Sequence, residues 1–407
     1  MTEFLQFQED TRRELIIQVS AQKGMTVQAV EKDWWVTLVL KALFSMPQAP
    51  HFIFKGGTSL SKGWKLIQRF SEDIDIALAP EAFGRTYKTA PSHSYVKMLK
   101  KEGCTYTSTV IKVALANKLI ELGVAADMVV IEAEAVNPEM PDKDPQSVYI
   151  HYPTLFDSSP YVPNAVKVEF GERSLKEPFA TVPIRSILAE ETQSPSFTEA
   201  PFSVTAVEPR KTFMEKLMLL HEKFQTGMSS DEKGERQSRH LSDLHELHRK
   251  GIAAQAIEDT ALYAQLLEHR RFYVRLKSID YSRMELSGLL FLPPPPLLEL
   301  FRKEYALMQV EMIYGDAPDF DTLIQELRTL NLQLVATGHA KDINEIIQTA
   351  LQQIKDPGVE GTSAQTPVIY VSDQYLPEGP SNVNVQFMAE FIRSATSWVL
   401  HRIHIFK

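Results

Sequence analysis

The stretch "FKGGTSLSKGWKLIQRFSEDIDIAL", residues 54–78, carries two signals that decide how the chain folds. A short apolar run, "HFIFK" (51–55), stops at the glycine pair Gly56 and Gly57, and "TSLSKGWKLI" follows with helical character. Thr58 or Ser59 is the helix-capping candidate. In "DIDIAL" (73–78), Asp73 and Asp75 alternate with Ile74, Ile76 and Leu78, a strand period that puts both carboxylates on one face. The stretch therefore reads strand, glycine turn, helix, strand.

Each signal is common alone. An isolated D-x-D is more often a polar strand edge than a metal site, and a glycine pair often does no more than make a turn. Together they are more specific. Residues two apart on a strand lie about 6.5 Å apart and point the same way, so their carboxylates can meet on one hard cation such as Mg²⁺. Glycine lets backbone approach a ligand, and the N–H groups at a helix start can cradle a phosphate. Glu169, in "NAVKVEFG" (164–171), shares a face with Lys167 and is a candidate third carboxylate; the competing reading pairs it with a lysine.

Outward from this stretch, residues 4–22 and 26–45 read as helices, the second with a broad apolar face from Val30, Trp34, Leu38 and Leu43. A helix is expected over 95–122, and strands in "DMVVIEAEAV", "SVYIHY" and "NAVKVEFG". From "EPRKTFMEKLMLLHEKF" (208–224) onward the pattern is helical, with further helices expected over 234–249, 253–269, 297–313 and 319–334. "KDINEIIQTALQQI" (341–354) reads as a helix, "KDPGVEGTSAQTP" (355–367) as a linker, and "VQFMAEFIRSATSWVL" (385–400) as another helix. The expected class is α+β: a mixed sheet with flanking helices over 1–200, a helical domain over 201–340 completing the cleft, and a partly helical extension over 341–407.

The whole chain sets bounds. Its 407 residues suggest more than one domain, and 44% hydrophobic with 23% charged residues is an ordinary globular mixture. A net charge of −9 argues against an all-over cationic surface, though a local basic patch can still bind nucleic acid. Cys104 is the single cysteine, which rules out a disulfide framework and fits a reducing cytoplasm. No apolar run is long enough to span a bilayer, so no membrane is expected.

With these segments in order, the chain resembles the AbiEii/AbiGii toxin family of nucleotidyltransferases, within the DNA polymerase beta-like superfold. The resemblance rests on "GGTSL", "RFSEDID", "EKDWWVTLVLKALF", "VKVEFGERS", "RKTFMEKLMLLH", "ERQSRHLSDLHEL" and "EYALMQVEMIYGDAPDFDTLI", over about residues 10–335. It implies that Gly56, Gly57, Thr58 and Ser59 contact a nucleoside triphosphate. It implies Asp73, Asp75 and Glu169 as holders of Mg²⁺ or Mn²⁺, and Lys216 as the lysine that steadies the triphosphate. Asp243 matches a carboxylate of the helical half, with Arg239 one turn before it. Many relatives have serine where this chain has Gly57, which leaves open whether Thr58 or Ser59 faces phosphate. Read from residue type alone, Lys216 is equally a surface lysine beside an apolar face, and Arg236, Arg239 and Asp243 equally a solvated ion-pair side.

The implied activity is transfer of a nucleoside monophosphate from an NTP to a hydroxyl acceptor, RNA or tRNA among them, or protein. The implied setting is a toxin of a toxin–antitoxin or abortive-infection system, its partner a separately encoded antitoxin that regulates transcription. An alternative is an NTP-binding sensor or interaction protein without turnover. A glycosyltransferase, which also uses D-x-D, is disfavoured by the strand–GG–helix that precedes the carboxylates.

Overall fold

The computed structural model describes residues 2–136, 139, 142–157, 163–192, 197–227, 236–338, 368–371, 386–393 and 398–406. The chain opens with α1 (Glu3–Gln6), α2 (Glu9–Lys23) and α3 (Val27–Phe44). Thr26 caps α3, its hydroxyl accepting the N–H of Ala29 at 3.2 Å. Then come β1 (Phe52–Lys55), the short α4 (Gly56–Thr58) continuing as a wider turn through Gly63, and β2 (Ile74–Leu78). The strand–turn–helix–strand expected of residues 54–78 is what forms.

Next follow α5 (His93–Tyr106), a π turn at Thr107–Ile111 and α6 (Lys112–Glu121), where one helix was expected. β3 (Val130–Ala133), β4 (Gln146–His151) and β5 (Ala165–Gly171) match the three strand expectations. Two further strands, β6 (Phe179–Ile184) and β7 (Phe202–Val207), were not expected; α7 (Ile187–Glu191) lies between them. Pro183 inside "FATVPI" argues against a strand, and it is tolerated because β6 is an edge strand.

The seven strands make one mixed sheet in the order β3-β4-β5-β2-β1-β7-β6. β2 sits at its centre, antiparallel to β1 and parallel to β5. Beyond the sheet the chain is helical: α8 (Pro209–Thr226), α9 (Ser238–Arg249), α10 (Ile252–Glu258), α11 (Thr260–Tyr273), α12 (Leu298–Glu311) and α13 (Phe320–Gly338). The fold is α+β, as the sequence implied.

The described C-terminal residues form β8 (Val368–Val371), β9 (Gln386–Arg393) and β10 (Trp398–Phe406), a three-stranded antiparallel sheet in the order β10-β9-β8. This corrects the helix expected over 385–400. The segment is rich in Val, Ile, Phe and Trp, residues that favour strands, and its two halves pair with each other from Trp398↔Arg393 to Phe406↔Gln386. The helix expected over 341–354 and the linker over 355–367 lie outside the described residues. By contacts the chain forms two compact units, Met1–Met284 with Leu290–Leu327, and Glu285–Leu289 with Arg328–Lys407. Among the described residues no helix is long and apolar enough to cross a membrane.

α3 is the organising helix. It is buried almost all round, and Val30, Trp34, Val36, Leu38, Val39, Leu40 and Leu43 fill the space beside the sheet. It also carries four buried polar anchors. Glu31 accepts the Leu155 N–H and the Thr154 hydroxyl, each at 2.8 Å. Lys32 ion-pairs with Glu72 at 2.7 Å, immediately before Asp73. Asp33 takes Lys62 Nζ at 2.6 Å and the Ile187 N–H at 2.7 Å. The Trp34 indole donates to Glu199 at 2.8 Å. Asp33→Ala strands the buried Lys62 ammonium, so unfolding in urea is expected to show a loss of about 3–5 kcal/mol.

Candidate active-site cleft

The row of register partners Lys55↔Asp75↔Glu169↔Ser147 crosses four adjacent strands, β1, β2, β5 and β4. It places Asp75 between a lysine and a second carboxylate, and Asp73 stands two residues earlier on the same face. Below the row the glycine turn presses against the carboxylate. Gly56 has φ +76°, and a Cβ there would collide with the Asp75 carboxylate. At Gly57 a Cβ would lie 2.5 Å from Arg69 Nη2 and 2.9 Å from Ser71 Oγ. Gly56 is therefore required where the turn meets Asp75, and a side chain at Gly57 would have to displace the ends of Arg69 and Ser71.

A cleft of about 350 Å³ opens over this row. Its sheet side presents Lys55, Gly56, Gly57, Asp73, Asp75 and Glu169; its helical side presents Lys216, Arg239 and His240. Arg69 and Ser71, from the loop leading into β2, and Arg173, just after β5, also line it. The sheet side carries the carboxylates Asp73, Asp75, Asp144 and Glu169 with Lys55 among them, and the helical side carries Lys216, Arg239 and Arg270 with Glu215.

The carboxylates feel their confinement. Burial pushes Asp73 up to about 6, with Glu72 and Asp75 adding like charge. Burial also raises Asp75, against the pull of Lys55 and with the push of Glu169. Lys55 is held above its ordinary range: burial opposes its charge, but Asp75, Glu215 and Glu169 outweigh it. Neither the Asp73 nor the Asp75 carboxylate accepts a hydrogen bond from a described residue. Two hard oxygen donors on one face, lacking protein donors, suit a cation of the Mg²⁺ kind that completes its shell with water and phosphate. Glu169 does not join them: its carboxylate is paired with Lys167 at 2.6 Å. Among the described residues no three His, Cys, Asp or Glu side chains are grouped to hold a metal ion. The structure assembles a carboxylate pair with Glu169 beside it, not the expected trio.

Thr58 and Ser59 are fully buried and do not line the cleft. The Thr58 hydroxyl donates to the Asp73 carbonyl and lies 2.9 Å from the Ser71 hydroxyl, and the Ser59 hydroxyl donates to the Gly56 carbonyl at 2.9 Å. The expectation that one of them faces phosphate is corrected by this geometry: both hydroxyls are committed to internal backbone partners. Thr58 clips the turn to the start of β2, and the hydroxyl residues that line the cleft are Ser71, Ser174 and Thr212.

Asp243 is likewise displaced from the expected role. It is fully buried and outside the cleft lining. Its carboxylate accepts Arg69 Nε at 2.7 Å and Nη2 at 2.8 Å, and Lys216 Nζ at 2.8 Å. Burial opposes its charge, but these two cations hold it far below the usual carboxylate range. Lys216 and Arg69 thus reach the cleft from a common buried anchor. Burial pushes Lys216 down from the ordinary lysine range despite Asp243. Lys216 Nζ also lies 3.2 Å from His240 Nδ1. An ammonium only donates, so Nδ1 accepts, and burial with the neighbouring Lys216 and Arg239 keeps the ring neutral. Arg239 borders the cleft with its Nε buried and unpartnered among the described residues.

Residue patterns therefore indicated Asp73, Asp75, Glu169 and the two glycines. Lys216 and Arg239 came only through the resemblance, and Lys55, Arg69, Ser71 and Arg173 were missed. The signal for Lys55 is its position as the last strand residue before the glycines. Arg69 and Ser71 lie in a loop with no periodicity to reveal their direction.

A mixed sheet with a D-x-D on its central strand, facing basic helices across a cleft, is the build of a nucleotidyltransferase. A family model described as nucleotidyl transferase AbiEii toxin, type IV TA system, matches residues 38–326, and the chain belongs to that family. The family association with a type IV toxin–antitoxin system implies an antitoxin partner. Among curated proteins, none matches the chain.

Asp243→Asn should cost about 3–5 kcal/mol in equilibrium unfolding, because Arg69 and Lys216 would lose the charge that balances them. The depressed carboxyl supplies stability above the ordinary aspartate range, lost only as pH falls towards its depressed folded value. At pH 5 the wild type should therefore keep this contribution, and the difference between the two proteins should match that at pH 7.

Proposed function

We propose that the cleft binds a nucleoside triphosphate and transfers its nucleoside monophosphate to a hydroxyl of an RNA acceptor, tRNA being the first to try. The observation that carries this reading is the Asp73–Asp75 carboxylate pair, which accepts no hydrogen bond from a described residue and is set opposite Lys216 and Arg239 across one cleft. Carboxylates that accept no hydrogen bond from a described residue suit a metal, and Lys216 and Arg239, with Asp243 beneath them as counter-charge, suit phosphates.

In this reading Asp73 and Asp75 would hold Mg²⁺, or Mn²⁺, which when bound would offset charge on the phosphates. The helix start at Gly56 and Gly57 offers backbone N–H groups to the triphosphate, with the Ser71 hydroxyl beside them. Lys216, Arg69 and Arg239 take the charge that develops on the leaving group. The acceptor oxygen attacks the α-phosphorus, the bond to the bridging oxygen breaks, and pyrophosphate leaves. Glu169, in line with Asp75, accepts the hydroxyl proton once it exchanges its Lys167 partner. Catalysis is then mainly positioning and electrostatic stabilisation. Asp243 and Thr58 act beneath the site, as supports. The biological setting that fits is a cytoplasmic toxin restrained by a separately encoded antitoxin that regulates transcription.

Incubation with each α-labelled NTP and total tRNA, with Mg²⁺, is expected to label an RNA band with one preferred base. Asp73→Asn with Asp75→Asn should lower labelling by at least about a hundredfold while melting behaviour stays native. Full labelling by that variant would remove the carboxylates from the mechanism.

Proton competition gives a second outcome. Asp73 is pushed up to about 6, and a cation requires the deprotonated carboxylate. Calorimetric Mg²⁺ affinity should fall as pH drops through about 6, and an affinity flat from pH 7.5 to 5 would count against Asp73 as a ligand.

A further inference from the structure

Glu172, immediately before Arg173, is the most isolated acid among the described residues. It is 1% exposed, and among the described residues no N–H or hydroxyl donor reaches either carboxyl oxygen. No described cation pairs with it; what faces it is the Asp144 carboxylate and the Cys104 thiol. α5 makes the space, since any side chain at Gly103 would collide with Glu172. An uncompensated carboxylate at such a place is far costlier than a neutral acid.

Each carboxylate oxygen of Asp144 beside it already takes one donor. Its Oδ1 accepts the Glu172 backbone N–H at 3.0 Å, and its Oδ2 accepts Arg173 Nε. Arg173 also donates through Nη2 to the Asp144 carbonyl at 3.4 Å and through Nη1 to the Tyr273 carbonyl at 3.2 Å. This leaves one N–H on each terminal nitrogen of a guanidinium that lines the cleft. Spare guanidinium N–H groups suit a phosphate.

We propose that Glu172 is a positioning residue for Arg173: as a carboxylic acid it donates to Asp144 and so fixes the guanidinium tied to Asp144, with its spare N–H groups presented to a triphosphate. Two carboxyl groups facing one another in a buried site do not both ionise, and Asp144, held by Arg173, is the one that stays charged. The phosphate half of this proposal rests on the nucleotide reading of the cleft; the positioning half does not.

Two measurements separate the halves. The first is the side-chain Nε–Hε resonance of Arg173 by NMR, assigned by its loss in Arg173→Gln. The second is the affinity for inorganic tripolyphosphate with Mg²⁺ by calorimetry. Glu172→Gln keeps a neutral donor and is expected to leave the resonance in place and the affinity within about twofold. Glu172→Leu removes the donor at similar size; it should move the resonance and weaken tripolyphosphate about tenfold. Arg173→Gln should weaken it as much, and the double variant no further, because the two residues act as one unit. An unmoved resonance in Glu172→Leu, or a move as large in Glu172→Gln, overturns the positioning. Additive losses in the double variant overturn it as well. If wild type shows no tripolyphosphate binding while the resonance behaves as expected, the positioning stands and the nucleotide reading fails.

Discussion

The buried carboxylate of Asp243 is the constraint on which the cleft depends. It joins the loop before β2, through Arg69, to α8, through Lys216, from its own place on α9. One negative charge serving two positive ones leaves a net positive charge in a region that water barely reaches. Burial, with Arg69 and Arg239 nearby, holds Lys216 below the ordinary lysine range despite Asp243. A buried ion cluster of this kind is weak evidence for stability, since desolvation offsets much of the attraction. Its value is geometric: it fixes two cations on different elements at one edge of the site.

The opposite wall carries the complementary imbalance. Asp73 and Asp75 are raised because burial disfavours their charges, with Glu72 and Asp75 adding like charge at Asp73 and Glu169 at Asp75. Lys55 relieves Asp75 in part, from the neighbouring strand. The two walls thus carry charge of opposite sign, and it is on this complementarity that the proposed nucleotide reading rests.

How much of this was legible in the sequence follows from where periodicity exists. Asp73 and Asp75 sit in a strand, so alternation fixes their face, and glycine at a strand end declares a turn. Glu169 was found for the same reason, but its pairing with Lys167 is a side-chain choice that spacing does not encode. Thr58 and Ser59 are residue types that cap helices and bind phosphate, yet the tightness of the turn sends both hydroxyls to backbone. Arg69 and Ser71 lie in an aperiodic loop and become visible only when Asp243 and the Gly57 backbone give them places. In "VQFMAEFIRSATSWVL", apolar residues satisfy helical and strand spacing alike. The pairing of β9 with β10 decides, and that is a tertiary fact.

The polar anchors of α3 also bear on how the chain reaches this state. Their partners are spread widely: Lys62 lies 29 residues from Asp33, Glu72 lies 40 from Lys32, and Leu155 and Glu199 lie 124 and 165 from their partners. During synthesis α3 emerges early, with Glu31, Lys32 and Asp33 still hydrated and Trp34 exposed. It cannot bury them all until Glu199 has left the ribosome. Long-range closures of this kind slow folding, so the half-made chain spends its growth as a species that has a helix but no cleft.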